Sequence, residues 1–526
     1  MKNNILYIWI VVLCLLGSGC GHYLEEYSKN LTYASSCEDL NEVLVKNGYL
    51  ANGGNNILPE VSLGYMFVLD DDVEELLTAK PSERINGTPA AYWRNVYTWQ
   101  RSPFHQSFTT DDQEFDDGTL KVIYQHIAYV NTIIDYVKEF PNDPIEMQRK
   151  VLGEAQFLRA AYYLLASNLY GWAYDVKNEG KDLSVPLKTY PWVVEEEFSR
   201  STVGKVYSVI ENDLKGACEN LRGIKQKNFY RTNQLAARTL LSRVCLYMEK
   251  YDEAIVQCDS ALAMGCPLSD LSTYYTTDDY SQVKQRDFLY NDGTEVVFTM
   301  GNAIVQRWFG YGNQWMPTKG SYVASEDLLE EFKVNDQVED LRRDCYFMRH
   351  KTARSHYMVC KQAEFEVSNT NPAVFETFLI RTAEVYLNKA EAQAMKGDLA
   401  GAASTLQPLL KTRYAAGKLP QLTSLDEEEL VEFIRAERRR ELCFEGHRWA
   451  DLKRCAVNSK YPLAKKIVHR VFELKDNTGG SEVGVYVLKP YGEDNGWIMP
   501  FQEEEMLFND GKLENVERPE RLMGEE

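Results

Sequence analysis

Apolar side chains recur every three or four residues over long stretches of this chain, and that spacing predicts a mainly α-helical protein. Ile123, Ile127, Val130, Ile134 and Val137 line one face of an amphipathic helix. From Leu152 onward, Leu158, Ala161, Tyr162, Leu165 and Leu169 share one face, while Phe157, Ala160 and Leu164 occupy a second. That helix should be buried on most sides, with Gly171 as its stop. Val203, Val206, Tyr207, Ile210, Leu214, Ala217 and Leu221 mark another, with Ser201 or Thr202 at its N-cap.

A weak internal repeat follows. Residues 235–262 and 380–410 each read as helix, short turn, helix. Aligning Ala254 with Ala402 brings Ser242 onto Ala390, so small residues fall where two helices would cross closely. This is the packing logic of a tetratricopeptide repeat, in which antiparallel helix pairs stack on their neighbours. The two copies are far apart, so the expected fold is a helix-pair scaffold with large irregular loop and small-strand insertions. A further helix is expected to run from a capping box at Ser424 and Glu427, through IRAERRRELCFEGHRWADLKR (434–454), to a positive end at Lys453 and Arg454. Residues 51–120 and 266–375 are different in kind, rich in Tyr, Trp, Gly, Asn and Asp, with EVVFTM (295–300) reading as a short strand.

The N-terminus changes the picture from scaffold to exported scaffold. Lys2 precedes an apolar run, Ile5 to Leu16, of about a dozen residues, which suits a secretory signal and is too short for a comfortable membrane span. Small residues Gly17, Ser18 and Gly19 lead into Cys20, so residues 1–19 read as a lipoprotein signal peptide and Cys20 as the lipidated residue. Leu16 lies one position further from Cys20 than the usual signal box places its large aliphatic residue. The net charge of −20 argues against nucleic acid as a partner. Of the eleven cysteines, Cys14 leaves with the signal and Cys20 would carry lipid, leaving an odd number scattered through apolar patterns. Buried thiols acting as small hydrophobes are expected, not a disulfide framework. No cysteine or histidine spacing suits zinc, and no cofactor is expected.

Four collinear blocks resemble the SusD/RagB family of outer-membrane nutrient-binding lipoproteins. They are Cys20 followed by HYLEE, EAQFLRAAYYLLASNLYG (154–171), IRTAEVYLNKAEAQAMKGD (380–398) running on to residues 434–454, and GWIMPFQEEEM (496–506). The resemblance implies a SusD-like fold with tetratricopeptide-like helices, a single unit over residues 20–526, and a helical scaffold at about 120–265 and 376–455. It also implies a partner, a TonB-dependent transporter of the SusC type, a surface location on the outer membrane, and capture without catalysis.

Within that frame Glu154, Arg159, Arg381, Glu384, Glu391, Glu441, Glu445, Arg448 and Asp451 are expected to pair across helix contacts. An acid–base pair for glycoside hydrolysis would need two of these carboxyl groups to converge in a cleft. Ligand contacts are expected from two aromatic segments, because flat rings give large contact area at low entropic cost. The first is AYWRNVYTWQR (91–101), with Trp93, Asn95 and Trp99; Trp93 and Tyr97 equally suit helix packing. The second is QRWFGYGNQWMP (306–317), with Trp308, Tyr311, Asn313 and Trp315, in the region where family members place binding aromatics. Asp70, Asp71 and Asp72 read as a solvated loop or helix start, with calcium as the alternative. Glycans are the expected cargo, with peptides or metal chelates as alternatives.

Overall fold

Helix α1 (Thr119–Tyr136) starts at Gly118, whose φ of +58° suits glycine. Helix α2 (Ile145–Tyr170) is buried on most sides, as its two apolar faces require. Gly171 does end it, but in extended backbone with φ −104°. The glycine is needed for proximity, since a Cβ there would lie 2.7 Å from Ser184 Oγ and 3.0 Å from Ser184 Cα. Helix α3 (Val203–Asn220) is capped by Thr202, whose side chain accepts from the Lys205 amide. These three helices pack in succession, each against the next. The description covers residues 34–50, 63–77, 89–104, 118–274, 288–289, 294–300, 309, 321–349, 355–361, 378–476 and 479–524 of a computed structural model.

The repeat is real in three dimensions. Helices α4 (Gln234–Tyr247) and α5 (Tyr251–Ala263) form the first pair, and α6 (Thr382–Met395) and α7 (Leu399–Arg413) the second. Helix α6 lies against both α4 and α5, so the pairs stack despite their separation in sequence. Ser242 and Ala390 are both fully buried, and Asn388 Nδ2 donates to Ser242 Oγ at 2.9 Å across the contact. The alignment that matches Ala254 with Ala402 also matches Glu249 with Gly397 and Lys250 with Asp398. Glu249 and Gly397 both have positive φ, +56° and +80°. Lys250 (φ −84°, ψ 65°) and Asp398 (φ −84°, ψ 69°) then lead into α5 and α7 with the same backbone. The fold is mainly α and tetratricopeptide-like.

Two sequence expectations are corrected at the next helix. The capping box of α8 (Glu427–Leu442) is made by Asp426 and Glu429, two residues beyond Ser424 and Glu427. The expected single helix also breaks after Leu442 and resumes as α9 (Arg448–Ala456). Phe444 (φ +56°) and Gly446 (φ +77°) make the break. It turns the Phe444 ring into the core and Glu445 onto Arg381, which a continued helix would not do.

Strands form a smaller layer. Strand β1 (Val73–Leu77) pairs antiparallel with β3 (Ser321–Ala324) and parallel with β7 (Ile467–Asp476). A six-stranded sheet results, in the order β4 (Phe347–Arg349), β5 (Tyr357–Val359), β3, β1, β7 and β8 (Gly479–Leu488). The expected strand appears as β2 (Val296–Phe298), paired with β6 (Ile380–Arg381).

A buried ionic network joins the helices to these strands. Arg381 holds Glu445 through two hydrogen bonds of 2.8 Å, and reaches Glu295 at 2.7 Å and Glu441 at 3.0 Å. Arg413 grips the same Glu295 and Glu441, at 2.7 and 2.9 Å. Arg342 pairs with Asp340, Glu437 and Glu441, Lys361 with Glu445, and Arg440 with Glu437. Five cations thus meet five carboxylates, and all ten side chains are at least nine-tenths buried. Burial opposes ionisation of Glu441, but Arg413 and Arg381 hold its carboxyl well below the usual range. A second cluster ties Glu384 to Arg243, Glu391 to Arg454, and Asp451 to both Arg438 and Arg454.

Breaking such a network one partner at a time strands a buried charge, so Glu441→Ala should cost about 3–5 kcal/mol. The readout is a lower unfolding midpoint in urea or heat; an unchanged midpoint would remove the network from the account of stability. The acid limb is also set. The guanidinium groups overcome burial to depress Glu437 and Asp451 to about 2. Their contribution is complete above the unfolded carboxylate range, near pH 4, and disappears as pH falls from there through about 2. Circular-dichroism melts at stepped pH should show the midpoint dropping across that window.

Candidate functional site

The aromatic residues of the sheet side form one continuous slab. Phe309 is fully buried, 5.6 Å from the Tyr322 ring, 5.4 Å from Phe444 and 6.4 Å from Phe67. Its carbonyl accepts from the Val359 amide at 2.8 Å, which fastens it to β5. Tyr322 continues to Trp93 (6.5 Å, 25° between planes) and to Tyr97 (5.4 Å). Tyr97 and Trp99 sandwich His469 at 4.0 and 4.1 Å. The first segment singled out in the sequence and Phe309 of the second therefore converge on one structure.

They converge differently from the expectation. Trp93 is 2% exposed and Trp99 fully buried, so neither offers a ring face to a ligand. Trp99 Nε1 donates to Leu69 O at 2.9 Å, and Tyr97 OH donates to Arg470 O at 2.7 Å while accepting from the Glu75 amide. Segment 91–101 is thus a wedge under the sheet: the polar tips of Tyr97 and Trp99 are spent on backbone, and the rings of Trp93, Tyr97 and Trp99 on packing. Asn95 is part-exposed, with Nδ2 at 3.5 Å from Ser102 O. Trp308, Tyr311, Asn313 and Trp315 lie outside the described residues, as do Cys20 and the signal segment 1–19. Phe309 is the described residue of that second segment, and it packs in the slab.

A polar cleft of about 780 Å³ opens between residues 487–495 and the C-terminal stretch 517–522. Lys489, Asp494, Asn495 and Arg518 line it, and Arg521 reaches from it to the Trp99 carbonyl at 3.2 Å. The cleft adjoins the wedge and brings charged and amide groups beside the aromatic slab.

Asp70, Asp71 and Asp72 are buried, which corrects the solvated reading. Arg448 grips Asp71 at 2.7 and 2.8 Å, Arg439 holds Asp72 at 2.8 Å, and Lys465 also pairs with Asp71. Burial and the neighbouring Asp72 and Asp71 carboxylates push Asp70 well above its usual range. The three carboxylates come close enough together to hold a metal ion. Guanidinium and ammonium groups already occupy that negative field, so its chemistry is that of a structural junction between β1 and helices α8 and α9. Sequence reasoning missed this because the partners lie more than 300 residues downstream.

The other charged residues are likewise paired. Glu154 takes Arg231, and Arg159 takes Asp213 through two bonds of 2.7 Å. A general acid in glycoside hydrolysis needs a raised pKa facing substrate. Glu441 and Asp451 are instead depressed, buried and bound to arginine.

This arrangement defines a class: stacked antiparallel helix pairs faced by a small sheet with an aromatic slab. Comparison with known proteins shows what that class is similar to. A model described as the SusD family matches residues 353–515, and one described as "Starch-binding associating with outer membrane" matches residues 63–246. SusD-like protein P25 of Formosa agariphila is 22% identical over 517 residues, covering 87% of this chain and 90% of its own. SusD-like protein P38 of the same organism is 23% identical over 381 residues, covering 63% of this chain and 70% of its own. Among solved structures, a putative sugar binding protein from Bacteroides vulgatus superposes with a TM-score of 0.67 at 21% identity, covering 91% of this chain and 98% of its own. A SusD superfamily protein from Bacteroides thetaiotaomicron gives 0.63 at 20%, covering 91% and 99%. The chain is similar to the SusD-like family over most of its length.

Trp99→Ala should cost about 3–5 kcal/mol, the range for removing a buried tryptophan. Asn95→Ala should leave the melting curve unchanged. Equal stability of the two variants would contradict the wedge.

Proposed function

We propose that this protein captures glycans at the cell surface and passes them unaltered to a TonB-dependent outer-membrane transporter of the SusC type. The observation that carries the reading is Phe309, buried in the aromatic slab and set in sequence among Trp308, Tyr311, Asn313 and Trp315. Its ring and its carbonyl are held by the slab and by β5, which brings a rigid aromatic surface next in sequence to the expected ligand contacts. Glycan as cargo is supported by the starch-binding family description and by relatives described as sugar or carbohydrate binding proteins, including a second structure from Bacteroides vulgatus. The same family description supports the outer membrane as the location, where lipid on Cys20 would hold the chain. Capture without cleavage is supported by the pairing of the candidate carboxylates with arginine.

Calorimetry against panels of neutral polysaccharides and peptides tests this. A polysaccharide should bind and be recovered with its length unchanged. Trp308→Ala with Trp315→Ala should weaken it by about tenfold or more, equivalent to about 1.4 kcal/mol, with no change in melting. Binding of peptides alone, or shortening of the polysaccharide, would overturn the reading.

A further inference from the structure

Residues 186–199 lie in the connection from α2 to α3 and carry a second aromatic feature on the helical side. Tyr190 and Trp192 stack with ring centroids 5.6 Å apart and planes 20° from parallel. Trp192 is 57% exposed and Val193 87%. The ammonium of Lys188 lies 5.6 Å from the centre of the Tyr190 ring, and Tyr190 OH donates to Glu196 Oε2 at 3.4 Å. An exposed tryptophan alone would mean little, since single apolar residues on a surface are ordinary. What distinguishes this one is the buried machinery that fixes the backbone beneath it.

Three side chains from α1 and α2 hold three consecutive carbonyls. Asn131 Nδ2 donates to Lys188 O at 2.8 Å and to Tyr190 O at 3.4 Å. Tyr163 OH donates to Lys188 O at 2.7 Å and accepts from the Lys188 amide at 2.9 Å. Arg159 Nη1 donates to Thr189 O at 3.3 Å and to Asn131 Oδ1 at 3.0 Å, while its other nitrogens are bound to Asp213. Pro191 then restricts the backbone between the two rings. The loop is therefore ordered before any ligand arrives, and an ordered aromatic face binds at lower entropic cost.

We infer that Tyr190 and Trp192 form an accessory platform for a neutral glycan chain, separate from the surface expected around residues 306–317. The inference rests on the glycan reading above and adds a second point of contact. The face of Trp192 suits the flat C–H side of a pyranose ring, and Lys188, Glu196 and the Tyr190 hydroxyl offer hydrogen bonds at its edge. Exposed Glu195, Glu196 and Glu197 outnumber Lys188 and Lys512, the latter paired with Glu197, so a polyanionic chain would be repelled. One platform of this size binds weakly by itself. A polymer already held at the primary surface makes the second contact intramolecular, at an effective concentration in the millimolar range for short flexible connections. The platform thus favours long chains over short ones.

The test compares the full chain with Trp192→Ala and Trp192→Phe, each against neutral polysaccharides (amylopectin, levan, xyloglucan, arabinoxylan) and the matching hexasaccharides. Affinity electrophoresis and calorimetry give the readout. Trp192→Ala should weaken polysaccharide binding by about threefold to tenfold and leave the hexasaccharide unchanged. Trp192→Phe should recover most of the loss, and all three proteins should melt together because the side chain is exposed. Polysaccharide binding equal in wild type and Trp192→Ala overturns the platform while the primary reading stands. Loss of a co-purifying membrane protein, with glycan binding intact, overturns it in favour of a protein contact. A wild type that binds none of the polysaccharides overturns the glycan reading and the platform with it.

Discussion

A charge removed from water must find an opposite charge or give up its proton, and this fold is organised around that constraint. The arginines Arg342, Arg381 and Arg413 come from three separate stretches of chain and share the single carboxylate of Glu441. Each shared contact fixes a geometric relation. Arg381 on β6 sets the short β2–β6 pair beside α8, and Arg413 sets the end of α7 against both. Glu445 can join only because the chain breaks at Phe444. Such pairs add little net stability over a well-packed apolar core, since desolvation offsets much of the attraction. Their effect here is to specify register between segments separated by scores of residues.

The Asp71–Arg439–Arg448 junction repeats the principle at the boundary between helices and sheet. Strand β1 begins directly after Asp72 and is central to the sheet, pairing with β3 on one side and β7 on the other. The aromatic slab packs behind it. Scaffold, junction, sheet and slab therefore form a single mechanical chain, with Phe309 at its far end.

Much of the scaffold was legible in the sequence because helical burial leaves a period of three to four residues. Helices α1 to α7 could be placed from that period, and the repeat emerged from small residues at matched positions. The break between α8 and α9 was not legible: Leu442, Trp449 and Leu452 maintain the period across it, and nothing local marks Phe444, a residue with a Cβ, for left-handed backbone. The acidic triplet looked like a surface loop because nothing local reveals arginines at 439 and 448. Trp93 and Trp99 misled for a related reason. Tryptophan in a polar, glycine-poor stretch suits a ligand face and a buried wedge equally, and only the partners Tyr322, Leu69 and His469 distinguish them. Tyr190 and Trp192 were passed over because they occupy an unperiodic connection; their significance lies in buried Asn131, Tyr163 and Arg159, which look like ordinary helix residues.

The two matched turns of the repeat solve one conformational problem with different residues. Gly397 adopts its left-handed backbone freely, whereas a residue with a Cβ gives up roughly 1–2 kcal/mol there. Glu249 nonetheless holds that position, and its carboxylate accepts from the amide and hydroxyl of Ser459. Local discomfort in one hairpin is thus exchanged for a tether to the stretch that leads out of α9. Replacing Glu249 with glycine would relax the hairpin and untie the tether together, so the more comfortable residue would make the looser protein.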